Sequence, residues 1–126
     1  MNVLMTDYEK EILYGYINGI WAKQVLERDK EKITKAKFKY PEIYEEWISE
    51  LERKNGEHLH QTRNQMKMAE MKIWEIRTED PKKGIKYGCS YRGYHSDHHM
   101  MPRVLRKNVE NHIRMLVFND GRRKSF

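Results

Sequence analysis

Long apolar runs, paired cysteines and large aliphatic side chains are what this chain has least of. No run approaches the roughly 20 apolar residues that a bilayer-spanning helix needs. The first residues, MNVLMTDYEKE, reach acid by position 7 and lack the basic start and apolar centre of a secretory signal. A single cysteine, Cys89, excludes an internal disulfide framework and favours a reducing compartment. The expectation is a soluble, intracellular, cytoplasmic protein. Leu, Ile, Val and Phe together number only 25 of 126 residues, near the edge of the range in which chains stay disordered. Eight Met, eight Tyr and three Trp restore part of the missing apolar area. Length and composition together predict one mainly α-helical domain, 1–126, with long helices around a thin core.

Charge is abundant but uneven. Residues 1–80 carry 14 Lys+Arg against 16 Asp+Glu, whereas residues 81–126 carry 11 against 3. The chain therefore divides into a nearly balanced helical scaffold, 1–80, and a basic loop-plus-helix region, 81–126. A local excess of cations attracts polyanions.

Helix signals fill the scaffold. Thr6 and Glu9 form a capping box, and Ile12, Leu13, Tyr16, Ile17, Ile20 and Trp21 follow at helical spacing. Gly15 and Gly19, four apart, predict a flattened surface for close helix packing. The charged run ERDKEKITKAK predicts a solvated extension, in which Glu31 and Lys35 can pair. Pro41 suits a first helical position, with Glu42, Glu45 and Glu46 complementing the helix dipole. A seam then runs through Tyr44, Ile48, Leu51, Asn55, His58, Thr62, Met66, Ala69, Ile73 and Ile76, apolar at both ends and polar in the middle. It fits one long helix or two, 41–54 and 57–77, because Asn55-Gly56 is a good stop. The expected packing is a helical hairpin or small bundle.

The last third reads differently. Pro81, Gly84, Gly88 and Gly93 punctuate a stretch in which Ile85, Tyr87, Cys89 and Tyr91 alternate with polar residues. The pattern predicts an irregular Tyr/Gly/His loop or a short two-stranded β-ribbon. A basic C-terminal helix is expected from Pro102 to Phe118, stopped by Asn119-Asp120-Gly121. It has Leu105, Val109, His112, Ile113 and Leu116 on one side and Arg103, Lys107, Glu110 and Arg114 on the other. His112, on the apolar side, reads as a hydrogen-bonded structural histidine.

The charge layout carries the functional expectation. Lys82, Lys83, Lys86, Arg92, Arg103, Arg106, Lys107, Arg114, Arg122, Arg123 and Lys124 are the candidate phosphate contacts, and Tyr87, Tyr91 and Tyr94 the candidate stacking rings. The reading is a non-catalytic nucleic-acid-associated accessory protein, indifferent between DNA and RNA because no base-reading pattern is present. The alternative is a protein-interaction module, a helical adaptor, complex subunit or inhibitor of a nucleic-acid-processing machine, docking through Met66, Met68 and Met71. No catalytic residue, metal site or cofactor is assigned. Cys89 has no neighbouring base, and neither a nucleophile elbow nor a phosphate-cradling glycine loop occurs.

One short stretch carries a resemblance. SDHHMMP followed by VENHIRMLVFNDGRRK is similar to part of the HNH nuclease pattern, in which an Asp-His pair precedes a proline turn and an Asn comes after it. The resemblance implies that His98 activates water, that Asn111 holds the loop, and that Asp97 and Asn119 approach a divalent metal. The chain departs from the pattern in lacking its cysteine knuckles and in placing Asn111 within a predicted helix.

Overall fold

The computed structural model describes residues 4–118. Helix α1 (Asp7–Lys35) begins at the capping box: Glu9 donates its amide to Thr6 Oγ1 at 3.1 Å, and Thr6 donates its own to Glu9 Oε1 at 2.8 Å. Each residue thereby satisfies a donor that the helix end would leave unpaired. Ile12, Leu13, Ile17, Ala22 and Leu26 form its buried face. The charged end of α1 is solvated as expected, with no buried residue between 27 and 37, yet it is tied to its neighbour at two points. Lys30 pairs with Glu52 at 3.2 Å and Thr34 donates to Glu45 at 2.6 Å, both across to helix α2 (Pro41–Met68).

Helix α2 runs through Asn55-Gly56 without a break and ends nine residues short of the predicted position 77. Glu70 takes a left-handed conformation (φ 54°), Met71 donates its amide to the Met66 carbonyl at 2.8 Å, and Glu70 donates to Lys67 at 3.2 Å. These are the paired bonds of a Schellman stop. The motif usually places glycine where this chain has Glu70, so the stop carries no glycine signal. Met71 is buried in the core and Met66 packs half-buried against the same cluster, which leaves only Met68 of the three methionines exposed. The methionine docking surface is thereby corrected.

Beyond that stop the backbone turns to strand. β1 (Lys72–Ile76), β2 (Ile85–Tyr91) and β3 (Tyr94–Met100) form an antiparallel sheet in the order β1-β2-β3, with a 3₁₀ turn over Pro81–Lys83. The expected loop is thus an ordered hairpin with a third strand added. Its two-residue turn has Arg92 at φ 50° and Gly93 at φ 81°, the paired positive values that match the twist of adjoining strands. Register sets Ile73 opposite Cys89 and Cys89 opposite Ser96. Alternate residues then face inward, so Tyr87, Cys89 and Tyr91 join Ile12, Leu13, Ile17, Met71, Met100, Leu105 and Val109 in the main core. Helix α3 (Pro102–Phe118) closes the core. A second cluster of Leu26, Ile48, Leu51 and Leu116 packs the far ends of the three helices.

The polar middle of the α2 seam has a structural role. Asn55 Nδ2 donates to the Gly19 carbonyl at 2.9 Å, and His58 Nε2 meets the Gly15 carbonyl at 2.9 Å. Close approach makes this possible, since a Cβ on Gly19 would stand 2.6 Å from Leu59. From α3, buried His112 bonds Asn55 Oδ1 through Nε2 at 2.8 Å and lies 4.5 Å, centroid to centroid, from His58. Three helices therefore meet at one satisfied polar network.

Candidate nucleic-acid interface

The pleat decides which of the nominated residues can meet a ligand. Tyr87 is 4 % exposed and its hydroxyl accepts a 2.6 Å bond from Trp21 Nε1. Tyr91 is buried as well. Stacking on either ring is excluded, because inward-facing strand positions have been used to complete a core short of aliphatics. Arg92 sits at the hairpin tip, but its Nε and a terminal nitrogen bond the Glu9 carboxylate at 2.7 and 3.0 Å, and its guanidinium also reaches the Leu4 carbonyl. That pairing holds the Glu9 carboxyl down to about 2 against the opposing effect of burial. Arg92 therefore clamps the hairpin to the start of α1 and is not a free phosphate contact. Tyr94 remains half-exposed, beneath the same guanidinium. Arg122, Arg123 and Lys124 lie outside the described residues.

The outward face of the sheet carries a constellation that the helical reading of residues 57–77 concealed. Register aligns three rows across the strands: Lys72, Ser90 and His95; Trp74, Gly88 and Asp97; Ile76, Lys86 and His99. Members of a row share a face, and rows on that face are roughly 7 Å apart. Trp74, 42 % exposed, lies flat on the sheet because Gly88 beneath it has no side chain; a Cβ there would stand 2.4 Å from the indole. His95 stacks on the indole at 5.4 Å with 21° between planes, and its Nε2 bonds Asp97 at 2.9 Å. Lys72 stands one row to one side of the ring and Lys86 one row to the other. The order Lys72-Ile73-Trp74-Glu75-Ile76 is polar, apolar, apolar, polar, apolar and carries no two-residue alternation that would mark a strand.

More cations gather at the Lys86 end. Ile85 pairs with Met100, so Lys82 and Lys83 lie beside the first turn of α3, where Arg103 projects. His99 Nε2 donates to the Lys83 carbonyl at 2.8 Å and fixes that turn. Lys82, Lys83 and Arg103 are exposed and make no ion pair among the described residues. Further along α3, Glu110 bonds Arg114 at 2.9 Å and approaches Lys107 at 4.0 Å, which places one acid among the three cations of the stripe.

The profile of one family, described as YhjD protein, matches residues 4–121. The chain belongs to the YhjD protein family. The match spans all three helices and all three strands, so the outer sheet face and α3 are both parts of the family's unit. No curated protein and no solved structure matches the chain. Among the described residues no helix is long and apolar enough to cross a membrane.

The HNH-like residues do not converge. Asp97 and His98 are neighbours on a strand and point to opposite faces of the sheet. His98 Nε2 bonds Ser96 Oγ at 2.7 Å, and its ring meets Tyr14 edge-on. Burial pushes its pKa down, opposed by Asp97. Asn111 is on the exposed side of α3, and Asn119 lies outside the described residues. Among the described residues no group of three or more His, Cys, Asp or Glu side chains is placed to hold a metal ion. Cys89 is fully buried, and burial pushes its thiol up to about 11, far from a nucleophilic thiolate.

Proposed function

We propose that this protein is a non-catalytic nucleic-acid-associated accessory protein that holds a strand across the outer face of its sheet. The observation that carries the reading is the exposed Trp74 ring, supported by Gly88 and His95 and flanked one row away on each side by Lys72 and Lys86. A base stacked on Trp74 gains about 1–3 kcal/mol whatever its identity. Phosphates on either side meet Lys72 and Lys86, and the strand continues toward Lys82, Lys83 and Arg103. Each neutralised phosphate releases counterions, so affinity falls as salt rises.

The test is a titration of short single-stranded oligonucleotides, DNA and RNA, and of a duplex, at 50 and 200 mM salt. Expected is single-strand binding that weakens at the higher salt, an affinity at least about tenfold lower in Trp74→Ala, and a shallower salt slope in Lys82→Ala/Lys83→Ala/Lys86→Ala. Unchanged affinity in Trp74→Ala overturns the reading. Duplex binding abolished by Arg103→Ala/Lys107→Ala/Arg114→Ala would move the site to the α3 stripe.

A second reading, docking to a protein, has one specific support. At the α1–α2 junction Phe38, Tyr40, Ile43, Tyr44 and Trp47 are all exposed, Ile43 at 58 % and Trp47 at 53 %. Concentrated apolar surface of this kind marks interaction sites. Ile43→Ser/Trp47→Ser should then abolish copurification of a partner while leaving the melting temperature of the free protein unchanged.

A further inference from the structure

Between α1, α3 and the adjoining edge of the sheet lies a cleft of about 720 Å³. Its walls are apolar: Trp21 and Val25 from α1, Val109 and Ile113 from α3, over a floor of Ile85 and Met100. A chain with so few aliphatics leaves these side chains facing an unfilled space, and the volume falls within the range of small-molecule sites. The rim is cationic on both walls. Arg28 on α1 and Arg106 on α3 line it and have no counter-ion among the described residues, while Arg114 and Glu110, which also line it, pair with each other and leave the rim with a net excess of two cations. Arg106 thus belongs to this cleft and not to the Arg103–Lys107 stripe.

Dimensions and charge narrow the occupant. The lining runs along α3 from Pro102 to Val117, about 22 Å at 1.5 Å per residue. A cleft of about 720 Å³ drawn out over that length is a long furrow in which an extended chain can lie along α3. A flexible methylene chain fits. Nucleic acid gains nothing from an apolar floor. We infer that the cleft binds a single unbranched acyl chain carrying an anionic head, the chain lying on the apolar floor and the head against the rim arginines.

Trp21 reports on occupancy once Trp47→Phe and Trp74→Phe remove the other indoles. Tetradecanoate below its micellar concentration, tetradecanol, tetradecyltrimethylammonium and anionic phospholipid vesicles are titrated against this background, with calorimetry in parallel. Expected is saturable 1:1 binding of the carboxylate with a negative heat-capacity change. Charge reversal in Arg28→Glu/Arg106→Glu, at two exposed sites, should weaken it at least about tenfold while leaving the alcohol unaffected. Ile113→Glu, checked for retained helicity, should abolish binding of the carboxylate. Absence of saturable binding, equal affinity for the alcohol or the ammonium, or unchanged affinity in the charge-reversed variant overturns the inference. Vesicle binding that survives Ile113→Glu, without binding of the free carboxylate, is surface adsorption and overturns it too. Trp74→Ala should leave tetradecanoate affinity unchanged, which separates failure at the cleft from failure at the sheet face.

Discussion

Acid should weaken the fold through His112 before any carboxylate is involved. Asn55 donates through Nδ2 to the Gly19 carbonyl, so its Oδ1 is an acceptor and the His112 nitrogen facing it must carry the proton. His112 is thereby fixed as the neutral Nε2–H tautomer. Burial, assisted by His58, lowers its pKa from 6.5 to about 4. The unfolded chain consequently binds the more protons between about 6.5 and 4, and stability falls as pH falls through that window. For pKa values of 6.5 and about 4, linkage gives a loss of about 2 kcal/mol between pH 7 and pH 5. The lowered carboxyls of Glu9, Glu50 and Glu110 begin to be protonated below 4.5 and stay out of this interval. His98 shifts in the same direction, so the comparison must be between variants and not of one protein alone.

The assay is urea unfolding followed by circular dichroism at pH 7 and pH 5 for the wild type, His112→Leu and Asn55→Leu/His112→Leu. His112→Leu should cost about 1–3 kcal/mol at pH 7, because Asn55 Oδ1 loses its donor. It should also lose most of the pH 7-to-5 decrement. The double variant, with neither polar partner left, should recover part of the cost. A His112→Leu protein with the wild-type decrement would refute the buried neutral histidine.

Four further outcomes can be checked on the same footing. Glu70→Gly should raise stability by about 1 kcal/mol in thermal melts, because glycine relieves the left-handed strain at the α2 stop. Gly19→Ala should destabilise by about 1–3 kcal/mol, since its methyl overlaps Leu59, and Leu59→Ala in the same chain should remove the overlap. Gly88→Ala should lift Trp74 off the sheet, seen as loss of the near-UV signal of the Trp74–His95 stack, with stability changed by only about 0.5 kcal/mol. Arg92→Ala should flatten the acid limb of unfolding. The lowered Glu9 carboxyl contributes stability that is complete above 4.5 and lost toward about 2, so a Glu9 without its partner should show a smaller difference between pH 5 and pH 3.

Local signals in the sequence were sound where one element decides the outcome. The Thr6–Glu9 box, Pro41 at a helix start, the Pro102–Phe118 helix and the inward side of α3 are all set by contacts within a few residues. The end of α2 was illegible because Glu70 does the work of a glycine. Ile73 and Ile76 lie three apart and satisfy a helical period, although the pair Ile73 and Trp74 in fact faces opposite sides of a strand. The stacking role given to Tyr87 and Tyr91 failed for a related reason. A basic–aromatic alternation gives a strand's two faces but not which one is covered. Arg92 could not be read as structural either, since its partner Glu9 is 83 residues away.

A core poor in aliphatics explains how structural and binding roles are divided here. Tyrosine, asparagine and histidine fill positions that leucine would otherwise occupy, and each buried polar atom then needs a partner. Tyr87 has Trp21, Asn55 has Gly19 and His112, and Glu9 has Arg92 and Thr6. Polar groups matched in this way are committed to the fold, whatever their chemistry would otherwise permit. Trp74, Lys82, Lys83, Arg103, Arg28 and Arg106 have no such commitment, being exposed or rimming a cleft. Changes to the first set should therefore move unfolding midpoints and leave the affinity of the folded fraction alone, whereas changes to the second should move affinity at constant stability. A variant of Trp74 or Arg28 that lost stability in step with binding would show that these side chains, too, are held by the scaffold.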